Sequence, residues 1–203
     1  MLPEIWESHL TVVFVGTAVA EPSETLGFYH LHARDRFWEL LELGGITPSR
    51  IIAAQERKAL TDGHTNGSLS DPVRSIFTQK KTSQLLRLGI GLTDLNRRVV
   101  ATSDKDKSAR PNEEDIVQFI AKGEKLSPKI LAFVTSPETF VELFKSRYAG
   151  ACDTLGLQPF RIGNAEAWLL GSPSTSFRGE ALTRQEDAFF ALGERISILK
   201  QES

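Results

Sequence analysis

A lone cysteine, Cys152, has no partner within the chain, which excludes an internal disulfide and a thiolate metal cluster. No sign of charge is in excess either: 24 Lys and Arg stand against 26 Asp and Glu, a net charge of −2. A nucleic-acid partner would therefore have to be met by basic residues gathered on one face. Long apolar runs are missing, none reaching membrane-spanning length, and the first residues lack a charged-then-apolar signal pattern. Both absences point to the cytoplasm and to no membrane partner. Histidine is scarce, and His9, His30, His32 and His64 follow no metal-ligand spacing, so no metal or other cofactor is expected. Internal repeats and low-complexity segments are also absent.

What is present is an ordinary globular composition, 40% apolar and 25% charged. A chain of 203 residues is expected to form one domain, residues 1–203, with a substantial core, and to be a monomer. Val12 to Val15 is a short, wholly apolar run of the kind found in a sheet covered on both faces. "LGIGLTD", "KILAFV" and "AEAWLLG" predict three further strands. Between them, "RFWELLELGG", "SRIIAAQERKALT", a short segment opened by Asp71-Pro72, "PNEEDIVQFIAKG", "SPETFVELFKSRY" and "TRQEDAFFALGERISILK" predict helices. Ser136 is the expected cap of the fifth, with Pro137 in its first turn, and Thr183 with Glu186 forms a capping box for the last. "DGHTNGSLSDP", residues 62–72, reads as a polar surface loop. The alternation predicts an α/β fold, three-layer α/β/α with a central four-stranded mainly parallel sheet. Ligands of such sheets collect beyond the carboxyl ends of the strands. The loops expected there run from Gly16 to Asp35, Thr93 to Arg98, Thr135 to Ser136 and Gly171 to Arg178.

Taken together, these loops resemble the uracil-DNA glycosylase superfamily, most closely its mismatch-specific uracil/thymine branch. "VVFVGTAVA…GFYHLHARDRFWELLELGGIT" is similar to the branch's first motif region, a strand and a G-x-N-P-G turn followed by a "GF…H…NRFW" segment. Gly27, Phe28, His32, Arg36, Phe37 and Trp38 match that segment in order. "GIGLTDLNRR" resembles the branch's G-x-T-x-L-x-x-R loop, and "LLGSPSTSFR" its second motif, N-P-S-G-L-S-R or M-P-S-S-S-A-R in relatives. The resemblance covers most of the chain outside the polar stretch near 62–72. It implies a monofunctional hydrolase that flips uracil, or another deaminated base, out of DNA and cleaves its N-glycosidic bond to start base excision repair. It implies no cofactor.

Such chemistry leaves positive charge on the sugar and negative charge on the departing base. The site therefore needs donors on the base and an anionic or water-orienting group near the sugar. Gly16, Thr17 and Ala18 can bring main chain close to a flat base, or merely make a tight turn. Ala18 stands where the resembling families carry Asn or Asp, so the water-handling group must lie elsewhere. Asp35 is the first candidate, with a helix N-cap as its alternative role. His30 can donate to or stack on the base, Glu21 is a weaker acidic candidate, and Glu24 a weaker one still. Asp94 orients water or caps a turn. Phe28, Thr135 and Ser172 complete the expected base pocket, with Thr135 otherwise a strand-end residue. Ser174, Thr175, Ser176, Phe177 and Arg178 are expected to hold DNA, the hydroxyls on phosphates and Phe177 as a wedge; a plain surface loop is the other reading. Arg97 and Arg98 either touch phosphates or are solvated, His32 shapes its loop, and Cys152 is an incidental thiol. A catalytically weak protein that recognises uracil or abasic sites in DNA is the second functional reading. A small-molecule hydrolase is a third, without a visible nucleophile–base pair.

Overall fold

The computed structural model describes residues 2–32, 34–67, 69–101, 109–173 and 178–202. Five strands form one sheet: β1 (Val12–Ala20), β2 (Ile90–Ala101), β3 (Ile130–Phe133), β4 (Gly156–Ile162) and β5 (Ala165–Leu169), in the order β2-β1-β3-β5-β4. The fold is thus α/β with a mostly parallel sheet, as the alternation predicts, but the sheet has five strands rather than four. The additional one, β4, pairs antiparallel with β5 through Gly163-Asn164, a two-residue turn of hairpin type. Pro159 lies inside the register irregularity between Leu157 and Arg161, which an edge strand tolerates.

Among the described residues the helices are α1 (Glu21–Leu26), α2 (Phe37–Leu43), α3 (Ala54–Thr65), α4 (Asp71–Arg87), α5 (Glu113–Leu126), α6 (Pro137–Phe144) and α7 (Glu180–Gln201). None of them is long and apolar enough to cross a membrane. Alternate residues of β1 enter different hydrophobic clusters. Val12 and Phe14 join Leu40 and Leu41 of α2, Leu85 of α4, and Phe189 and Leu192 of α7. Val13 and Val15 join Ile116 and Phe119 of α5, and Phe140 and Phe144 of α6. The period-two alternation of a strand is what divides the apolar residues in this way.

Several local expectations need correction. Gly16 to Ala20 continue β1, and residues 21–26 are α1, with Pro22 in its first turn and Gly27 as a left-handed cap. Thr93 to Arg98 lie within β2 rather than in a loop. The polar stretch at 62–72 holds the last turn of α3 and the start of α4, which runs for 17 residues. Ser136 caps α6 as expected, accepting the Thr139 N–H at 3.2 Å. The capping box at Thr183 and Glu186 does not form: α7 begins at Glu180, and Glu186 instead accepts from Arg36 Nη2 at 2.9 Å. That ion pair, with the close approach of Gly193 to Gly44, fixes α2 against α7. A Cβ on Gly193 would lie 1.8 Å from the Gly44 carbonyl oxygen.

Candidate functional site

β1 is the strand from which the chain leaves in both directions, first to β2 on one side and then to β3 on the other. The crevice between β1 and β3 is therefore the topological switch point of the parallel strands, the place where ligands of such sheets bind. The β1–β3 ladder ends at Val15 and Phe133, while β1 stays paired with β2 through Gly16, Ala18, Val19 and Ala20. Beyond Val15 the main chain of β1 thus presents its β3-facing edge to this crevice. Thr17 and Thr135 close its floor, their hydroxyl oxygens 2.6 Å apart.

Beside the crevice, Gly16 lies opposite Asp94 of β2. An ideal Cβ on Gly16 would stand 2.1 Å from Asp94 Oδ1, so the carboxylate occupies the space that any side chain at position 16 would need. Asp94 is 8% exposed, and its Oδ2 is buried without a hydrogen-bond partner among the described residues. Burial pushes the carboxyl up to about 7, opposed by the nearby His30 and Arg97 and reinforced by Glu4. Tyr29, 4% exposed, also has a buried hydroxyl without a partner among the described residues; burial and then the Asp94 charge push its pKa far above the usual phenol range.

His30 is held by three contacts in a strained backbone conformation. Its backbone is left-handed, φ 54°, which a non-glycine residue adopts at a cost of about 1–2 kcal/mol. The ring stacks on Phe37 with centroids 3.9 Å apart, Nδ1 meets Asp35 Oδ2 at 2.8 Å, and the carbonyl accepts from Trp38 Nε1 at 3.2 Å. With Nδ1–H donating to the carboxylate, the Nε2 of the neutral ring is an acceptor. The second oxygen of Asp35, Oδ1, accepts the Phe37 N–H at 2.8 Å, in the first turn of α2. Asp35 therefore serves the helix start and the imidazole together. Arg57 Nη1 donates to the carbonyls of Asp35 at 2.5 Å and His32 at 3.2 Å, and His32 Nδ1 accepts from the Arg34 N–H, so His32 shapes its own loop.

The last approach comes from the segment after β5. The Arg36 N–H donates to the Pro173 carbonyl at 2.9 Å, and Gln185 Nε2 to the Ser172 carbonyl at 2.8 Å. Two bonded groups result, Thr17 with Thr135 and His30-Asp35-Arg36 with the Ser172-Pro173 main chain, and Asp94, opposite Gly16, lies near enough to His30 to feel its charge.

Other predicted residues fall elsewhere. Phe28 is fully buried and stacked on Trp38, centroids 6.0 Å apart, which makes it a core residue with no face for a base. Glu21 is exposed at the start of α1 and lines a cleft of about 410 Å³ with Leu31, His32, Thr61 and His64. A second cleft of about 430 Å³ includes Glu24, Gly27, Arg74 and Thr78. Neither is lined by Gly16, Asp94 or Thr135. Arg97 and Arg98 pair with Glu4 at 2.9 Å and with Asp115 at 3.0 Å, and the Arg98 side chain stays 55% exposed, in keeping with a solvated surface charge. Cys152 rests on the side chain of Gln158. Arg178 is exposed. Ser174, Thr175, Ser176 and Phe177 lie outside the described residues. Reading the sequence alone passed over Tyr29 and Glu4. The latter accepts from Thr93 Oγ1 at 2.5 Å as well as from Arg97 and Lys122, and so anchors the start of the chain to β2. No protein-family model matches the chain.

Proposed function

We propose that this chain is a monofunctional DNA glycosylase that hydrolyses the N-glycosidic bond of uracil in DNA, on a three-layer α/β/α domain. The observation that supports the reading is that three bonds tie motif-bearing segments to one another, one of them at the switch point. Thr17 bonds Thr135 across β1 and β3, His30 bonds Asp35, and Arg36 bonds Pro173. These are the segments whose sequences resemble the glycosylase motifs, and a β1 edge left open beyond Val15 offers main-chain donors and acceptors to the rim of a base. His30 in this scheme faces the departing base, with Asp35 as the positioning residue that sets its tautomer.

A specific observation favours a second reading. Ala18 brings no polar group, and both oxygens of Asp35 are already engaged. Loss of one positioned catalytic donor typically costs about 10²–10³ in rate. A protein lacking the water-handling group would bind uracil or abasic DNA and turn it over poorly. Incubation of metal-free protein with a labelled uracil-containing oligonucleotide, followed by cleavage at abasic sites, separates the two. Excision in a single turnover supports the glycosylase, and tight binding without excision supports the binder. Neither excision nor binding removes both.

A further inference from the structure

Within the glycosylase reading, the group that acts on water is still to be assigned, because Ala18 has nothing to offer. Side chains of a strand alternate between faces, so Gly16 and Ala18 point to the same side of the sheet. The space over Gly16 is filled from the neighbouring strand by the Asp94 carboxylate. An acidic group therefore stands on the same face as the missing one, two residues back along β1, delivered by β2.

We propose that Asp94 is the carboxylate that activates water in this chain, with the Tyr29 hydroxyl as the second group holding that water. The geometry supporting this is a buried Oδ2 and a buried phenol oxygen, each without a hydrogen-bond partner among the described residues, with the Asp94 charge near enough to bear on the Tyr29 hydroxyl. Buried polar atoms are rarely left so in folded proteins, and such orphans call for a water or a ligand group. Asp35 is less suited because its two oxygens are occupied. The charged groups bearing on Asp94 are His30 from the segment after α1, Arg97 on its own strand, and Glu4 from the start of the chain, while Asp94 in turn bears on the Tyr29 hydroxyl.

The step balances without any further reactant. The C1′–N1 bond breaks with its electron pair leaving on the base. A lone pair of water forms the new C1′–O bond, and one water proton passes to Asp94 Oδ2. That proton then leaves to solvent or to the departing base, so water has been added across the glycosidic bond and uracil is released from an abasic site. Asp94 must be ionised to accept the proton, so excision should rise with pH through its titration, near 7, and level off above it.

The test is single-turnover excision of uracil from a labelled single-stranded oligonucleotide between pH 5 and 9, with wild type, Asp94→Asn and His30→Gln. Asp94→Asn is expected to lose at least about a hundredfold in rate at pH 8. It should bind the same oligonucleotide within a few-fold of wild type and melt no lower at that pH. The acid limb of the rate profile should vanish in Asp94→Asn and persist in His30→Gln. Asp94→Asn excising within about threefold of wild type would overturn the assignment and leave the glycosylase standing. So would a limb that disappears with His30→Gln, which also keeps the proposal testable if Asp94→Asn does not fold. Wild type without excision overturns the function and this assignment together.

Discussion

Substituting Gly16 by Ala tests the contact on which the site depends, before any activity is measured. A Cβ at position 16 would come within 2.1 Å of Asp94 Oδ1 and 3.3 Å of Asp94 Cγ. The first distance is more than 1 Å short of an ordinary van der Waals contact. Asp94 has two side-chain torsions with which to retreat, and it is buried, so the relief must come from an off-rotamer carboxylate or a shifted β1–β2 ladder. Insertion of one methyl into a packed site of this kind costs about 1–3 kcal/mol. For a chain of this size about 2 kcal/mol corresponds to a melting temperature lower by roughly 4–8 °C.

That loss belongs to one pair of residues, so a double-mutant cycle isolates it. Gly16→Ala placed in an Asp94→Ala background has no carboxylate to meet, and most of the loss should disappear, leaving a coupling of about 2 kcal/mol. Thermal or urea unfolding of the four proteins supplies the numbers. Equal losses in both backgrounds, within about 0.5 kcal/mol, would refute the argument. Gly16→Ala melting like wild type would refute it more directly.

Three further outcomes follow from the same neighbourhood. The Asp94 carboxyl is raised in the folded protein from 3.8 to about 7, so the native state binds the extra proton and stability should fall as pH rises across that window; the melting advantage of Asp94→Asn over wild type should therefore grow from pH 4 to pH 8, by up to roughly 4 kcal/mol, and an advantage constant with pH would reject the buried-charge account. Asp35→Ala removes an acceptor from the Phe37 N–H and the partner of His30, and should lower stability by about 1–2 kcal/mol and single-turnover excision by about tenfold; a loss larger than that of Asp94→Asn would transfer the water-activating role to Asp35. Arg178→Ala should leave the melting temperature unchanged, weaken binding of uracil-containing DNA, and reduce the salt dependence of that binding by about one phosphate contact; a salt slope identical to wild type would remove Arg178 from the interface.

The fold was legible where burial on both faces had removed every polar residue. Val12 to Val15 and Ile130 to Phe133 are strands that cannot be hidden in a polar context, and both are fully buried. β4 escaped because an antiparallel edge strand need not be apolar: "GLQPFRI" alternates between exposed and buried positions and carries a proline. Its signal was the Gly-Asn pair before "AEAWLL", a two-residue hairpin turn. α1 had signals too, Pro22 at its start and Gly27 at its end, but six polar-rich residues after a strand read more simply as loop. The Thr183 capping box was a sound local pattern overruled from a distance, since α7 starts at Glu180 and Glu186 is drawn to Arg36. Ser136 faced no such competitor and caps its helix as read.

The site was legible in its segments but not in its pairing. Sequence places Gly16 and Asp94 78 positions apart, and nothing local says that one must lack a side chain because the other has a carboxylate. Only the β1–β2 register makes the two a single feature, and it reverses the ranking of the acids. Asp35 drew attention because it aligns with a polar position of a resembling family, yet its oxygens are occupied by a helix N–H and an imidazole. Asp94 drew less because an acid after a strand usually caps a turn, yet it is in the strand, buried, and opposite the glycine whose missing side chain leaves room for its carboxylate. A glycine in the interior of a strand weakens it unless something needs the room. Here the occupant is the carboxylate of Asp94, so the small residue at 16 and the acid at 94 should be gained or lost together. A larger residue at 16 with Asp94 kept should cost stability, and Asp94 removed with Gly16 kept should cost catalysis. The two effects fall on different measurements, which is what separates a packing partner from a reacting group.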